Sequence, residues 1–282
     1  EQLVDLIAPD IGILTAIAPS HLDGFGDVDT VAREKARLLH GVPHAFAALG
    51  AWRQLDPDLA ERTTPYALSD IITPTDVART RERIWTGALS GTPFQPELEV
   101  TAPHETVQAH GPLPGLGRGL AESTIGALAI AKHLGLELDE ALRNLQTAEF
   151  EPGRLQVHAG EGWVLLDDTY NANPASMQQA LELLKQGERP LVALLGDMRE
   201  LGSEASEHHR ELGEATRELD VVLVAGDHAD EVRTGNPKAE VVTVEELLGR
   251  ARELPRRGTI LVKASRSLRF ERVVDAILEP SS

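Results

Sequence analysis

Five short stretches of the sequence carry side chains suited to chemistry. Lys35 lies on the apolar stripe of an amphipathic segment, where Val28, Val31, Ala32, Leu38 and Leu39 recur at three- and four-residue spacing. A lysine on such a stripe either snorkels, with its stem packed and its ammonium at the surface, or serves as a functional amine of depressed pKa. His21, within Pro19-Ser20-His21-Leu22-Asp23, could ligate a metal or contact a phosphate; the alternative is an ordinary loop histidine. Asp167-Asp168-Thr169-Tyr170-Asn171-Ala172-Asn173-Pro174 concentrates acids, amides and a tyrosine. Those residues could build a turn and cap a helix, or line a binding site. Gly196-Asp197-Met198-Arg199-Glu200-Leu201-Gly202 is the fourth stretch and Lys263-Ala264-Ser265-Arg266 the fifth. The Lys/Arg pair of the last suits a carboxylate or a phosphate.

The elements that must position these residues follow from apolar periodicity. Before residue 150 the pattern predicts a strand over 11–17, a helix over 27–40 with Asp27 as its N-cap, and a strand over 43–50. Residues 53–74, rich in Pro, Asp and Thr, read as irregular, and 75–90 as helical. Strand-like alternation runs from Phe94 to Ala109 with a turn near Pro103-His104, then a Gly/Pro loop over 111–119 and helices over 121–134 and 138–147. After 150 the rhythm is regular. Strands are predicted at 163–166, 191–195, 221–225, 241–243 and 259–262, and helices at 175–186, 204–218, 227–233, 244–253 and 268–278. Such alternation with short connections predicts an open, mainly parallel sheet covered on both faces. Four of the five chemical stretches then stand just past a strand, where ligands bind in open α/β sheets.

The chain has 282 residues, enough for about two domains of ~150. Lys and Arg total 27 against 45 Asp and Glu, a net charge of −18. That balance argues against general nucleic-acid binding and against docking on an anionic membrane. A local basic pocket for an anionic small molecule remains compatible with it. Cysteine is absent, which removes disulfides, thiolate metal sites and a cysteine nucleophile, and fits a reducing compartment. No apolar run is long enough to span a bilayer, so no membrane insertion is expected. The start, Glu1-Gln2-Leu3-Val4-Asp5, has no signal-like character and no initiator Met, as expected of a segment of a longer chain. Glu207-His208-His209 places two imidazoles on adjacent helix positions that point apart, a poor arrangement for zinc. No Gly-x-Ser-x-Gly elbow occurs.

Several stretches together resemble the Mur ligase family of ATP-dependent amide-bond ligases. They are Pro9-Asp10-Ile11-Gly12-Ile13-Leu14-Thr15, His21-Leu22-Asp23-Gly24-Phe25-Gly26, Ala32-Arg33-Glu34-Lys35, Glu151-Pro152-Gly153-Arg154-Leu155-Gln156, Asp167 to Met177, Leu195 to Gly202 and Val262 to Arg272. The resemblance implies an α/β fold in which residues 1–149 are the C-terminal part of a P-loop-type ATPase domain and 150–282 a Rossmann-like doubly wound domain. It implies a ligase of peptidoglycan precursor synthesis that adds D-alanyl-D-alanine to UDP-MurNAc-tripeptide through an acyl phosphate, with ATP and Mg2+. In that pattern Lys35 is carbamylated and, with His21, serves a magnesium ion. Arg154 and Asp168 meet the nucleotide. Tyr170, Asn171, Asn173, Lys263, Ser265 and Arg266 lie where the amino compound arrives. A cytoplasmic monomer is expected.

The sequence also departs from the family pattern. The phosphate loop Gly-x-x-Gly-Lys-Thr/Ser and the N-terminal domain for the UDP moiety do not occur in residues 1–282, so this chain alone is expected to be inactive. Ala16 stands where the family usually has Asn, Ala264 where Gly is common, and the His-Asn-x-x-Asn that helps hold adenine is absent around Glu122, Ser123 and Gly126. These departures keep open a second reading, a stand-alone binding protein of ligase-like fold without catalysis.

Overall fold

The computed structural model describes residues 2–17, 28–254 and 256–279. They divide along the chain between Ala148 and Glu149 into two compact units, each with its own sheet. No helix among the described residues is long and apolar enough to cross a membrane.

In the first unit the strands are β1 (Ile11–Leu14), β2 (His44–Ala48), β3 (Thr63–Leu68), β4 (Trp85–Thr92), β5 (Gln95–Thr101) and β6 (Val107–Pro112), and they lie side by side in chain order. β1 to β4 run parallel; β5 pairs antiparallel with β4, and β6 antiparallel with β5. β2 shows why. Ala45, Phe46, Ala47 and Ala48 are all buried, the continuous apolar run of a strand covered on both faces. On one face Phe46, Tyr66, Leu98 and Val100 pack with Ile125 and Leu128 of the helix Arg118–His133 and with Leu142 of the helix Leu138–Leu145. On the other, Ala45, Ala47 and Ala67 pack with Leu39, Trp52 and Leu59.

Two expectations fail here. Residues 53–74 are not irregular. Asp56 caps a helix at Pro57–Arg62, accepting from the Leu59 amide at 2.9 Å, and β3 follows directly. Composition hides β3 because Pro65 lies within it and Pro- and Asp-rich turns flank it; burial between β2 and β4 makes it a strand all the same. Nor is 75–90 one helix. A capping box from Thr73 and Asp76 starts a helix at Pro74, but it ends at Thr80. Arg81 and Glu82 then take left-handed φ of 50° and 60°, and β4 begins at Trp85. The helix around Lys35 runs Val28–Ala36 and tightens into a 3-10 turn at Arg37–Leu39, leaving Leu38 44% exposed and off the buried face. Asp27 lies outside the described residues. The expected 111–119 loop is shorter, since β6 runs to Pro112 and the next helix starts at Arg118.

In the second unit the strands are β7 (Gln156–Gly160), β8 (Trp163–Asp168), β9 (Leu191–Gly196), β10 (Val221–Ala225), β11 (Glu240–Val241) and β12 (Gly258–Lys263). They are ordered β11-β10-β9-β12-β8-β7, all parallel except β7, which pairs antiparallel with β8. β7 escapes the sequence reading because it is an edge strand with mostly exposed side chains, so it has no apolar run. Helices at Pro174–Leu184, Ala205–Ala215, Ala229–Gly235, Val244–Glu253 and Glu271–Leu278 complete the alternation read from the sequence.

Two of these helices, Ala205–Ala215 and Ala229–Gly235, touch backbone to backbone. A Cβ on Gly213 would run into the Val232 carbonyl oxygen, and one on Gly235 into that of Arg210. Gly213→Ala is therefore expected to lower stability by about 2–3 kcal/mol, as overpacking against immobile backbone does. The check is the urea midpoint followed through Trp163, the only tryptophan after residue 148.

Candidate functional site

The residues of interest gather at the carboxyl ends of the second unit's strands. β8 and β12 are parallel neighbours in a register that sets Lys263 opposite Asp168. The Lys263 ammonium, in a side chain 1% exposed, donates to Asp168 Oδ2 and to the Asn171 carbonyl oxygen, the latter at 3.0 Å. Burial pushes its pKa down, the Asp168 carboxylate pulls it back up, and the Arg154 charge adds to the downward push. Asp168 Oδ1 accepts from the Leu155 amide at 3.2 Å, and Leu155 takes a left-handed φ of 50°. The Tyr170 amide donates to the Gly153 carbonyl at 2.8 Å. Between those two bonds Arg154 lays its guanidinium over the Tyr170 ring, 3.9 Å from the centroid, while Arg266 stands 5.9 Å away from the same ring.

The structure separates exposed groups from framework. Arg154, Asn171 and Arg266 are exposed and Tyr170 is half-buried. Asp167 builds the turn, its Oδ1 accepting from the Thr169 amide at 3.2 Å and hydroxyl at 2.7 Å. Asn173 caps the helix Pro174–Leu184 through a capping box with Ser176. Ser265 is buried, and its Oγ accepts from the Arg199 amide at 3.0 Å.

The Gly196–Gly202 stretch proves to be a structural hub. Asp197, 1% exposed, accepts from the amides of Asp227 at 2.8 Å and His228 at 3.0 Å, and its carbonyl accepts from the Ser265 amide at 3.0 Å. His209 Nε2 accepts from the Met198 amide at 3.0 Å, so Nδ1 carries the proton it gives to the Ala205 carbonyl at 2.7 Å. Its ring stacks on His228 at 4.5 Å. These roles were not legible in the Glu207-His208-His209 run; the donor on Met198 comes from the turn after β9. Among the described residues no group of three or more metal-ligating side chains occurs.

In the first unit Lys35 is half-buried, and its ammonium donates to the Ala16 carbonyl, 3.3 Å away beyond the end of β1. His21 lies outside the described residues. Gly126 stands against Tyr66, whose Cζ is 2.7 Å from where a Cβ would sit. Tyr66 is fully buried, and burial raises its phenol pKa well above the usual tyrosine range, with the Glu122 charge adding to the effect. Burial likewise raises Glu122.

Residues 1–130 match the family model described as the Mur ligase middle domain, and residues 153–266 the one described as Mur ligase, glutamate ligase domain. The chain belongs to the Mur ligase family. UDP-N-acetylmuramoyl-tripeptide--D-alanyl-D-alanine ligase of Escherichia coli is 30% identical over 98% of this chain and 62% of its own length. Its counterpart from Haemophilus influenzae is 26% identical over 95% of this chain and 59% of its own length. The chain thus spans about three-fifths of these relatives. Among solved structures, MurF from Acinetobacter baumannii has a TM-score of 0.75 at 22% identity, covering 98% of this chain and 61% of that one. MurF ligase from Thermotoga maritima, in complex with ADP, has a TM-score of 0.74 at 24% identity, covering 98% and 63%. These likenesses are of fold: an ATPase-like middle domain followed by a Rossmann-like C-terminal domain. In this chain the Arg154–Tyr170 cluster falls in the stretch matched by the glutamate ligase domain, and Lys35, Tyr66 and Glu122 in that matched by the middle domain.

Two outcomes are expected for the hub. Asp197→Ala strips a buried acceptor from two backbone amides and should cost about 3 kcal/mol, read from the urea transition of Trp163. Burial also lowers the His209 pKa, although Asp197 and Glu231 pull it upward. The unfolded chain therefore takes up a proton first. This contribution to stability is complete above the ordinary histidine value of 6.5 and falls as the pH drops through it. The same transition at about pH 7.5 and about pH 5.5 should show the loss, with His209→Gln reducing it.

Proposed function

We propose that this chain is part of an ATP-dependent carboxylate–amine ligase that adds D-alanyl-D-alanine to UDP-MurNAc-tripeptide in peptidoglycan precursor synthesis, working as a cytoplasmic monomer. One observation carries the reading. A chain matched over 98% of its length by a relative named for that activity gathers Arg154, Asp168, Tyr170, Asn171 and Arg266 around the carboxyl ends of two adjacent parallel strands.

In this reading the tripeptide carboxylate attacks the γ-phosphate of ATP, ADP leaves, and an acyl phosphate forms. The dipeptide amine then adds to the acyl carbon, and the tetrahedral intermediate expels phosphate and yields the amide. Arg154 offers its guanidinium donors, and Asp168 its carboxylate, to the nucleotide. Tyr170, Asn171 and Arg266 meet the amino compound, on loops held by Asn173, Lys263 and Ser265. Magnesium, when bound, neutralises charge on the phosphate oxygens. Lys35 is half-buried, within reach of solvent, and next to a strand end. A carbamate there would turn a cation into a hard oxygen donor suited to that ion. His21 is the expected companion ligand.

A second reading, a ligase-like binding protein without catalysis, has one observation in its favour: the Tyr66 ring leaves no room for a side chain at 126, within the stretch that departs from the family pattern. The two separate by assay. The native protein carrying this sequence should release phosphate from ATP only with UDP-MurNAc-tripeptide and D-alanyl-D-alanine both present. Lys35→Ala should lower turnover about 100-fold or more. Bicarbonate labelled with carbon-13 should mark Lys35 as a carbamate. Nucleotide binding with an unlabelled Lys35 and no substrate-dependent phosphate release would favour the second reading.

A further inference from the structure

The bonds around Lys263 close into a ring. Its ammonium holds Asp168 Oδ2; Asp168 Oδ1 holds the Leu155 amide; the chain runs back through Arg154 to Gly153; the Gly153 carbonyl holds the Tyr170 amide; the chain continues to Asn171, whose carbonyl returns to the ammonium. The ring joins two segments distant in sequence, 153–155 and 168–171, through one side chain from a third, 95 residues beyond Asp168. The stacked pair Arg154 and Tyr170 sits on it.

We infer that Lys263 is a positioning residue, which fixes Arg154 and Tyr170 against each other from beneath the loops and touches neither nucleotide nor amine. Three observations support this. At 1% exposure the side chain has no face left for a ligand. Its ammonium is already committed to a carboxylate and a carbonyl on the same loop. The groups above it, Arg154 and Asn171, are the exposed ones. Without the ammonium, Asp168 loses its counter-ion and the Asn171 carbonyl its donor. The loop that carries Tyr170 is then held, among the ring's links, by the Tyr170–Gly153 bond and by an Asp168–Leu155 bond whose carboxylate has lost its partner. The geometry does not depend on the proposed function; only its consequence for ligation rests on that reading.

The test is amide hydrogen exchange on the full chain, with Arg154 side-chain shifts as a second probe. Lys263→Met leaves a buried carboxylate unpaired and can lose the fold, so Lys263→Met combined with Asp168→Asn is measured beside it; the neutral amide side chain keeps an oxygen for the Leu155 amide. The expected result is exchange at Tyr170 faster by about tenfold or more in both variants, and at Leu155 in the single one. The ring-current shift of the Arg154 side chain should disappear, while amides of β9 keep their protection. Uniform acceleration through the sheet would reduce Lys263 to general support and overturn the proposal. Unchanged exchange and an intact Arg154–Tyr170 contact would overturn it too, and with a raised KM for the dipeptide would make Lys263 a substrate contact instead. In ligation the positioning role predicts a KM for ATP raised about tenfold with a smaller change in kcat. If the unmodified protein shows no ligation, the proposed function fails while the exchange data still decide this inference.

Discussion

A buried ammonium must be paired, and in this protein the pairing of Lys263 with Asp168 sets much of what surrounds it. The two residues face each other because β8 and β12 are parallel neighbours in one register, each ending at the charged position. A slip of one strand by one residue would turn its charged side chain to the other face of the sheet and leave the partner's charge unpaired in the core. The pair therefore marks where the strands end and the loops begin. It also draws in the Asn171 carbonyl and, through Asp168, the Leu155 amide, so that loops from separate parts of the chain share one anchor.

The same rim continues across the sheet. From β12 the Ser265 amide reaches the Asp197 carbonyl after β9, and the Ser265 hydroxyl receives the Arg199 amide. From Asp197 the carboxylate takes the two amides that follow β10. His209 closes the back of the turn through Met198. The carboxyl edge from β8 to β10 is thus a series of loops bonded to one another through buried side chains. Exposed Arg154, Asn171 and Arg266 stand on a framework with little freedom to rearrange. That is the condition for holding a charged ligand without a large ordering cost.

The first unit rests on a different constraint. Close packing against its parallel strands shapes it: Ala45, Ala47, Ala48 and Ala67 let helices approach both faces. The fully buried Tyr66 ring occupies the space beside Gly126, which decides what that stretch of the helix can present. Lys35 lies at the same end of the unit as the β1 terminus, half out of the core, with its ammonium on a backbone carbonyl.

The sequence by itself determined the division near residue 150, the strand–helix alternation of the second half and the clustering of acids, amides and bases just past strand ends. Apolar period and turn chemistry are local properties, and in that half they agree with the tertiary fold. The resemblance to the Mur ligases was legible for the same reason, in short stretches with specific residues at fixed places. Other features were decided only by the tertiary structure. β3 is a strand because two neighbouring strands bury it, despite Pro65 within it. β7 is a strand because an exposed segment found an edge to pair with. Asn173 and Ser265 turned out to be caps and ties, and Lys263 the partner of Asp168, because each depends on which strand lies beside which. Spacing along the chain predicts which face a side chain takes; only the order and register of the sheet decide what it meets there.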